Sequence, residues 1–97
     1  MTNLKEIAEK IKNKDLEKAL ELCENFDSQN NQHIISNFKG VIHLIKGDLE
    51  LSEKNFLKSI ELSPKFEDPI KNLYSLYLKK RFFKKVLFYA KKLVEID

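Results

Sequence analysis

A turn-like segment recurs three times along the chain, and this period constrains the fold more than any other feature. Aligning Asp15-Leu16 with Asp48-Leu49 and with Phe82-Phe83 gives spacings of 33 and 34 residues. On both sides of each segment, apolar residues recur every three or four positions, as they do on one face of a helix. The period predicts three helix pairs, with repeats over about 1–32, 33–66 and 67–97.

Six apolar stripes define the predicted helices, each of about 12–15 residues. Breaks are expected near residues 13–15, 28–32, 46–48, 63–68 and 80–82. Asp68 is predicted to cap the fifth helix, with Pro69 in its first turn. The predicted inward stripe of the sixth helix contains Phe83, Val86, Leu87, Ala90, Leu93 and Val94. Because the chain has only two Gly and two Pro and no alternating β-branched runs, an all-α fold is expected.

The composition also bears on location. No window reaches the eighteen or so consecutive apolar residues of a membrane span, and the segment Met1–Glu6 lacks the apolar core of a signal peptide. A single cysteine, Cys23, cannot form an internal disulfide and fits a reducing compartment. A cytoplasmic protein with no membrane contact is therefore expected.

The middle repeat carries a pattern of small, aromatic and turn residues at fixed spacing. Its members are Gly40, Gly47-Asp48, Ser52, Phe56, Ser59 and Pro64. In this pattern the chain resembles the tetratricopeptide repeat family. The outer repeats depart from it, since Lys14 and Arg81 stand where Gly47 provides the turn glycine. A left-handed backbone at these two positions would cost free energy.

The resemblance implies a right-handed α-α superhelix of three antiparallel helix pairs. In the family, the first helix of each pair lines a concave groove that binds a peptide or protein segment. Carried over to this chain, the groove positions are Leu4, Lys5, Ala8, Lys12, Ile34, Asn37, Phe38, Val41, Ile45, Lys71, Asn72, Ser75 and Lys79. The implied function is that of a protein-binding scaffold.

The proposed groove has an apolar centre and basic ends. Ile34, Phe38, Val41 and Ile45 form a stripe on the third helix, while lysines lie on the first and fifth helices. A partner with an apolar anchor and acidic flanks would complement it. The alternative is that this stripe packs between neighbouring helices.

One family subclass holds chaperone C-termini with a carboxylate clamp of Lys, Asn and Arg side chains. The corresponding positions here are Leu4, Ala8, Phe38, Asp68 and Asn72. None keeps the required donor, and Asp68 has the wrong sign for binding a carboxylate. No chaperone carboxylate clamp is expected.

The sequence contains no constellation typical of catalysis, so we expect no enzymatic activity and no cofactor. His33 and His43 have no Cys or carboxylate at a metal-ligand spacing. His43 is expected to be an interior histidine with satisfied hydrogen bonds, and Cys23 a core residue rather than a nucleophile.

The C-terminal third is basic. Residues 65–97 hold nine Lys or Arg and four acidic residues, and the run 79–85 combines five cations with Phe82 and Phe83. Such a run could bind nucleic acid, and a steep loss of binding with salt would reveal this. The favoured interpretation is a lysine-rich turn with Phe83 buried, and nucleic-acid binding is the weakest functional alternative.

The sixth helix carries more apolar residues than one inward stripe needs. We expect a partner face formed by Phe82, Leu87, Phe88, Tyr89 and Val94. Self-association of two copies through this face, as a homodimer, is the main alternative function. A different protein, or further sequence of a longer chain, could also cover it.

Overall fold

The computed structural model describes residues 3–96, and within them the fold is all-α, with six α-helices and no strand. The helices run over α1 Leu4–Lys12, α2 Leu16–Glu24, α3 Gln32–Lys46, α4 Leu49–Leu62, α5 Glu67–Lys80 and α6 Phe83–Ile96. A short 3₁₀ turn, Gln29–Asn31, precedes α3. The expected breaks are confirmed, although α1 and α2 have only nine residues each and are shorter than predicted.

The turns inside the three helix pairs have the same hydrogen-bonded geometry. In each, one residue has a left-handed backbone: Lys14 with φ 60°, Gly47 with φ 86° and Arg81 with φ 61°. The next residue's N–H reaches back five positions to a carbonyl at 2.9 Å, in the pairs Asp15–Lys10, Asp48–His43 and Phe82–Tyr77. This is the Schellman helix ending, which requires the left-handed residue. The 33- and 34-residue spacing of the sequence is therefore a repeat of backbone structure.

Helix α3 is the centre of the fold, since it contacts α1, α2, α4 and α5. The first core cluster joins the N-terminal pair to α3 and contains Ile7, Ala19, Leu22, Cys23, Ile35 and Ile42. The second joins α4 to α5 and contains Phe56, Leu73, Leu76 and Tyr77. The first and second helix pairs thus each share a core with the pair that follows.

Helices α3 and α4 approach closely at the small residues of the middle repeat. A Cβ atom at Gly40 would overlap the ring of Phe56, which is fully buried. The hydroxyl of Ser52 donates to the Gly40 carbonyl at 2.8 Å, and that of Ser59 donates to the His33 carbonyl at 2.6 Å. Both serines satisfy backbone acceptors inside the interface, and burial would otherwise penalise these polar groups.

The predicted start of α5 is wrong by two residues. The helix begins at Glu67 after an extended Phe66, so Asp68 is inside the helix and is not its cap. Pro69 occupies the third helical position, where its missing N–H has no intrahelical partner in any case. Glu67 and Asp68 lie in the first turn, where acidic side chains interact favourably with the helix dipole.

Candidate protein-interaction surfaces

The predicted groove residues lie on α1, α3 and α5, three helices that contact one another in chain order. Lys5, Ala8, Lys12, Ile45, Lys71, Ser75 and Lys79 are exposed, and Leu4, Ile34, Phe38, Val41 and Asn72 are partly buried. Asn37 is buried. We refer to this set below as the groove surface.

Two asparagines connect the second and third repeats within the groove surface. The side-chain amide of Asn72 on α5 donates to the Asn37 side-chain oxygen on α3 at 3.0 Å. Because Asn37 is buried, this bond fixes how α5 lies against α3. The asparagines therefore position the surface, while the exposed side chains around them remain accessible to a partner.

The apolar stripe of α3 serves two roles. Phe38 packs partly against the first core cluster, and Val41 packs partly against the second. Ile45, by contrast, is 43 % exposed at the end of the stripe. The alternative of packing between helices thus holds in part for Phe38 and Val41, whereas Ile45 is accessible.

The lysines of the groove surface differ in their pairing. Lys71 lies 3.5 Å from Glu67 one turn earlier on α5. No carboxylate among residues 3–96 lies within ion-pair distance of Lys5, Lys12 or Lys79. These three lysines leave the surface with uncompensated positive charge.

Helix α6 exposes a second apolar surface. Phe83 is 62 % exposed, Leu87 58 % and Val94 77 %, and Ala90 lies between them at the same helical spacing. We call Phe83, Leu87, Ala90 and Val94 the C-terminal stripe. Phe83 was predicted to be buried, and that prediction is wrong. Leu87 and Val94, which the sequence analysis placed both on the inward stripe and on the partner face, are exposed.

The inward row of α6 includes an aromatic residue that was predicted on the outer face. Tyr89 packs against the second core cluster, with its ring stacked on Tyr77 at 5.6 Å between centroids. Burial raises the pKa of the Tyr89 phenol. Phe82 also stacks on Tyr77, at 6.3 Å, and remains partly exposed. Phe88 is exposed as expected, so only Tyr89 leaves the predicted partner face.

A polar network that was not predicted from the sequence connects α4, α5 and α6. The Tyr77 hydroxyl donates to the Glu53 carboxylate, and the Lys85 ammonium lies 3.6 Å from the same carboxylate. Lys85 also lies over the Tyr77 ring, 4.9 Å from its centroid. Burial and the bond to Glu53 raise the pKa of Tyr77. The long side chains come from three helices, and no local sequence pattern indicates that they meet.

This network changes the interpretation of the basic run 79–85. Lys85 is compensated by Glu53, and Lys80 lies over the Phe82 ring at 5.2 Å. Phe82 is engaged with Tyr77. Part of the positive charge of the run 79–85 and one of its two aromatic rings are thus engaged in contacts within the chain.

None of the candidate reactive residues is exposed, since Cys23 is buried and His33 and His43 are half-buried. Cys23 is buried, and burial raises the pKa of its thiol from 9.0 to about 11, which disfavours the nucleophilic thiolate. The expectation for His43 is corrected, because its Nδ1 is buried without a hydrogen-bond partner among the described residues. Within residues 3–96, no three His, Cys, Asp or Glu side chains form a group able to hold a metal ion.

A pocket of about 280 Å³ lies between the α4–α5 turn and the end of α6. Its walls are Pro64, Lys65, Lys92, Glu95 and Ile96. It was not predicted from the sequence, because the turn and the helix end are distant along the chain.

Comparisons with protein-family models, with curated proteins and with solved structures give no match. Among residues 3–96, no helix has both the length and the apolar content needed to cross a membrane.

Proposed function

We propose that the chain is a tetratricopeptide-like interaction module that binds a segment of another protein along the groove surface. The observation that carries this proposal is the exposure of Ile45 at the end of an apolar row, with unpaired lysines on the flanking helices α1 and α5. Apolar side chains surrounded by polar groups are typical of protein interfaces. The bound segment has an apolar anchor next to Ile45 and acidic residues opposite Lys12 and Lys79.

The three-fold turn geometry supports the family assignment on which the groove depends. Equivalent left-handed residues at 14, 47 and 81 give three helix pairs with a common local geometry. The first helices of these pairs contact one another in order, which is the arrangement that a continuous binding surface needs. Stacked helix pairs of this kind curve into a superhelix, and its concave side would carry the groove surface.

The test uses a substitution that removes the apolar anchor without entering the core. Ile45→Glu changes an exposed residue of the groove surface, and Leu57→Glu is the matched control, because Leu57 on α4 is 40 % exposed and lies outside that surface. Partners captured from a native lysate by the unmodified chain are identified by mass spectrometry and compared between the two variants. Phe38→Glu is less suitable because Phe38 also packs against the core.

The proposal predicts a set of proteins retained by the unmodified chain and by Leu57→Glu but lost with Ile45→Glu. Purified candidates from that set should then bind with an affinity at least about tenfold weaker for Ile45→Glu. Equal retention by all three chains, or equal loss with both variants, would contradict binding at the groove surface.

A further inference from the structure

The second core cluster shows which row of α4 packs against the next repeat. Phe56 belongs to the cluster formed with α5, and Leu49 and Ile60 pack against that cluster. Glu53, in the same row, accepts the hydrogen bond from Tyr77 of α5. Positions 49, 53, 56 and 60 are therefore the surface on which the following helix lies.

The corresponding row of α2 behaves in the same way. Leu16, Leu20 and Cys23 precede Leu49, Glu53 and Phe56 by 33 residues. They belong to or pack against the first core cluster, which includes Ile35 and Ile42 of α3. In both pairs the second helix thus uses this row to hold the first helix of the next pair.

The C-terminal stripe is the same row on α6. Phe83, Leu87, Ala90 and Val94 follow the α4 row by 34 residues each. No helix among residues 3–96 covers it, so three of its four side chains are more than half exposed. A row that holds a helix in the first two pairs is therefore apolar and open in the third.

The N-terminal helix α1 of a second copy could not cover the C-terminal stripe. The α5 residues that pack in the second cluster, Leu73, Leu76 and Tyr77, correspond by the repeat to Glu6, Glu9 and Lys10 of α1. Glu9 is exposed. A polar α1 cannot bury Phe83, Leu87 and Val94, so end-to-end stacking of copies is unfavourable.

The charge beside the C-terminal stripe also disfavours pairing with itself. Lys84 and Lys91 lie one turn from Leu87 along the solvent edge of the stripe, and neither has a carboxylate within ion-pair distance among residues 3–96. An antiparallel two-fold pair would set this basic edge against the same edge of the other copy. Like charges in such a position are destabilising, whereas acidic residues would be attracted.

We propose that the C-terminal stripe binds an amphipathic α-helix of another protein, with an apolar row facing Leu87 and acidic residues facing Lys84 and Lys91. This helix takes the place that α5 has on α4 and acts as a seventh helix of the stack. The site is separate from the groove surface and does not depend on it. The specificity of the site comes from the basic edge formed by Lys84 and Lys91, because apolar contact alone does not select one amphipathic helix over another.

The probe is a synthetic, end-blocked helical peptide of about 16 residues with leucine at heptad positions a and d and glutamate at e and g. A second peptide has lysine in place of every glutamate. Binding to the full chain is measured by calorimetry at two salt concentrations. The variants are Leu87→Lys in the stripe, the exposed control Leu57→Lys on α4, and Ile45→Glu in the groove surface.

The acidic peptide should bind the unmodified chain, Leu57→Lys and Ile45→Glu alike. Binding should weaken at least about tenfold for Leu87→Lys, for the lysine peptide and at high salt. Equal affinity for both peptides, unchanged binding by Leu87→Lys, or no binding at all would overturn the proposal. A concentration-dependent dimer of the unmodified chain in sedimentation equilibrium, abolished by Leu87→Lys, would also overturn it in favour of self-association. Because Ile45→Glu leaves this site intact, failure here and failure of the groove proposal are distinguishable.

Discussion

The contact between Gly40 and Phe56 offers a quantitative test of the central helix pair. A methyl group added in Gly40→Ala would overlap the ring of Phe56, which is fully buried and cannot swing into solvent. Overpacking costs about 1–3 kcal/mol, and the upper part of that range, about 2–3 kcal/mol, is expected here because the buried ring has no room to move aside. The better helix propensity of alanine offsets about 1 kcal/mol of that cost. The net destabilisation expected for Gly40→Ala is about 1–2 kcal/mol.

Phe56→Ala creates the opposite defect at the same place. Removing a fully buried ring costs about 3–5 kcal/mol, because contacts are lost and a cavity remains. If the two substitutions acted independently, the double variant would lose about 4–7 kcal/mol. In the double variant, the methyl group added at position 40 would occupy part of the space that the ring vacates. We therefore expect the double variant to lose only about 2–4 kcal/mol, a coupling of about 2–3 kcal/mol.

Urea denaturation of the four proteins, followed by circular dichroism in the far ultraviolet, measures this cycle. Gly47→Ala provides the control, because a Cβ at Gly47 meets nothing within 4 Å and its cost comes from the left-handed backbone alone. Its effect should add to that of Phe56→Ala within about 0.5 kcal/mol. Additivity of Gly40→Ala and Phe56→Ala would show that the two residues do not touch, and would refute the packing of α3 on α4.

Three further predictions concern the turns, the thiol and the polar network. Lys14→Gly and Arg81→Gly should each raise stability by about 1 kcal/mol in urea denaturation, since both residues have a left-handed backbone that glycine adopts without strain. Cys23 should react with iodoacetamide at about pH 8 far more slowly in the folded chain than in urea. Burial raises the pKa of the Cys23 thiol from 9.0 to about 11 in the folded state. The neutral thiol therefore contributes its full stabilisation below about pH 9, and this contribution should decline as the pH rises through about 11. Cys23→Ala should reduce that decline. Tyr77→Phe should lower stability by about 1–3 kcal/mol through loss of its bond to the Glu53 carboxylate, and Glu53→Gln in the Tyr77→Phe background should add little further loss.

The elements of this fold were predictable from the sequence because the repeat constrains them jointly. The period placed every turn, and Gly47 identified the turn type that Lys14 and Arg81 also adopt. Phe56, Ser52 and Ser59 belong to the pattern that identified the middle repeat, and all three are fully buried. Fixed local spacing was sufficient for these predictions.

The register of α6 could not be predicted in the same way. Its apolar residues cover well over half of the helix circumference, so several inward rows fit the pattern equally well. In the observed register, Tyr89 faces inward and stacks on Tyr77, while Phe83, Leu87 and Val94 are exposed. That contact joins residues of two helices, and periodicity within one helix does not contain it.

The hydrogen bond between two residues of the groove surface could not be predicted from the sequence either. Asn37 and Asn72 were both assigned to the groove as separate contacts, yet they bond to each other across α3 and α5. Their separation of 35 residues is close to the repeat length, which is why equivalent helices bring them together. Whether such residues face a partner or each other depends on packing distances.

The central claim is that the chain forms three equivalent helix pairs whose first helices lie side by side, the arrangement on which the proposed binding surface depends. NMR spectroscopy of the isotope-labelled chain tests it most directly. We expect nuclear Overhauser effects between the Asn72 side-chain amide protons and Asn37, together with coupling constants and carbon shifts of a positive φ at Lys14, Gly47 and Arg81. Continuous helical shifts through any of these three turns, or the absence of contacts between α3 and α5, would contradict it.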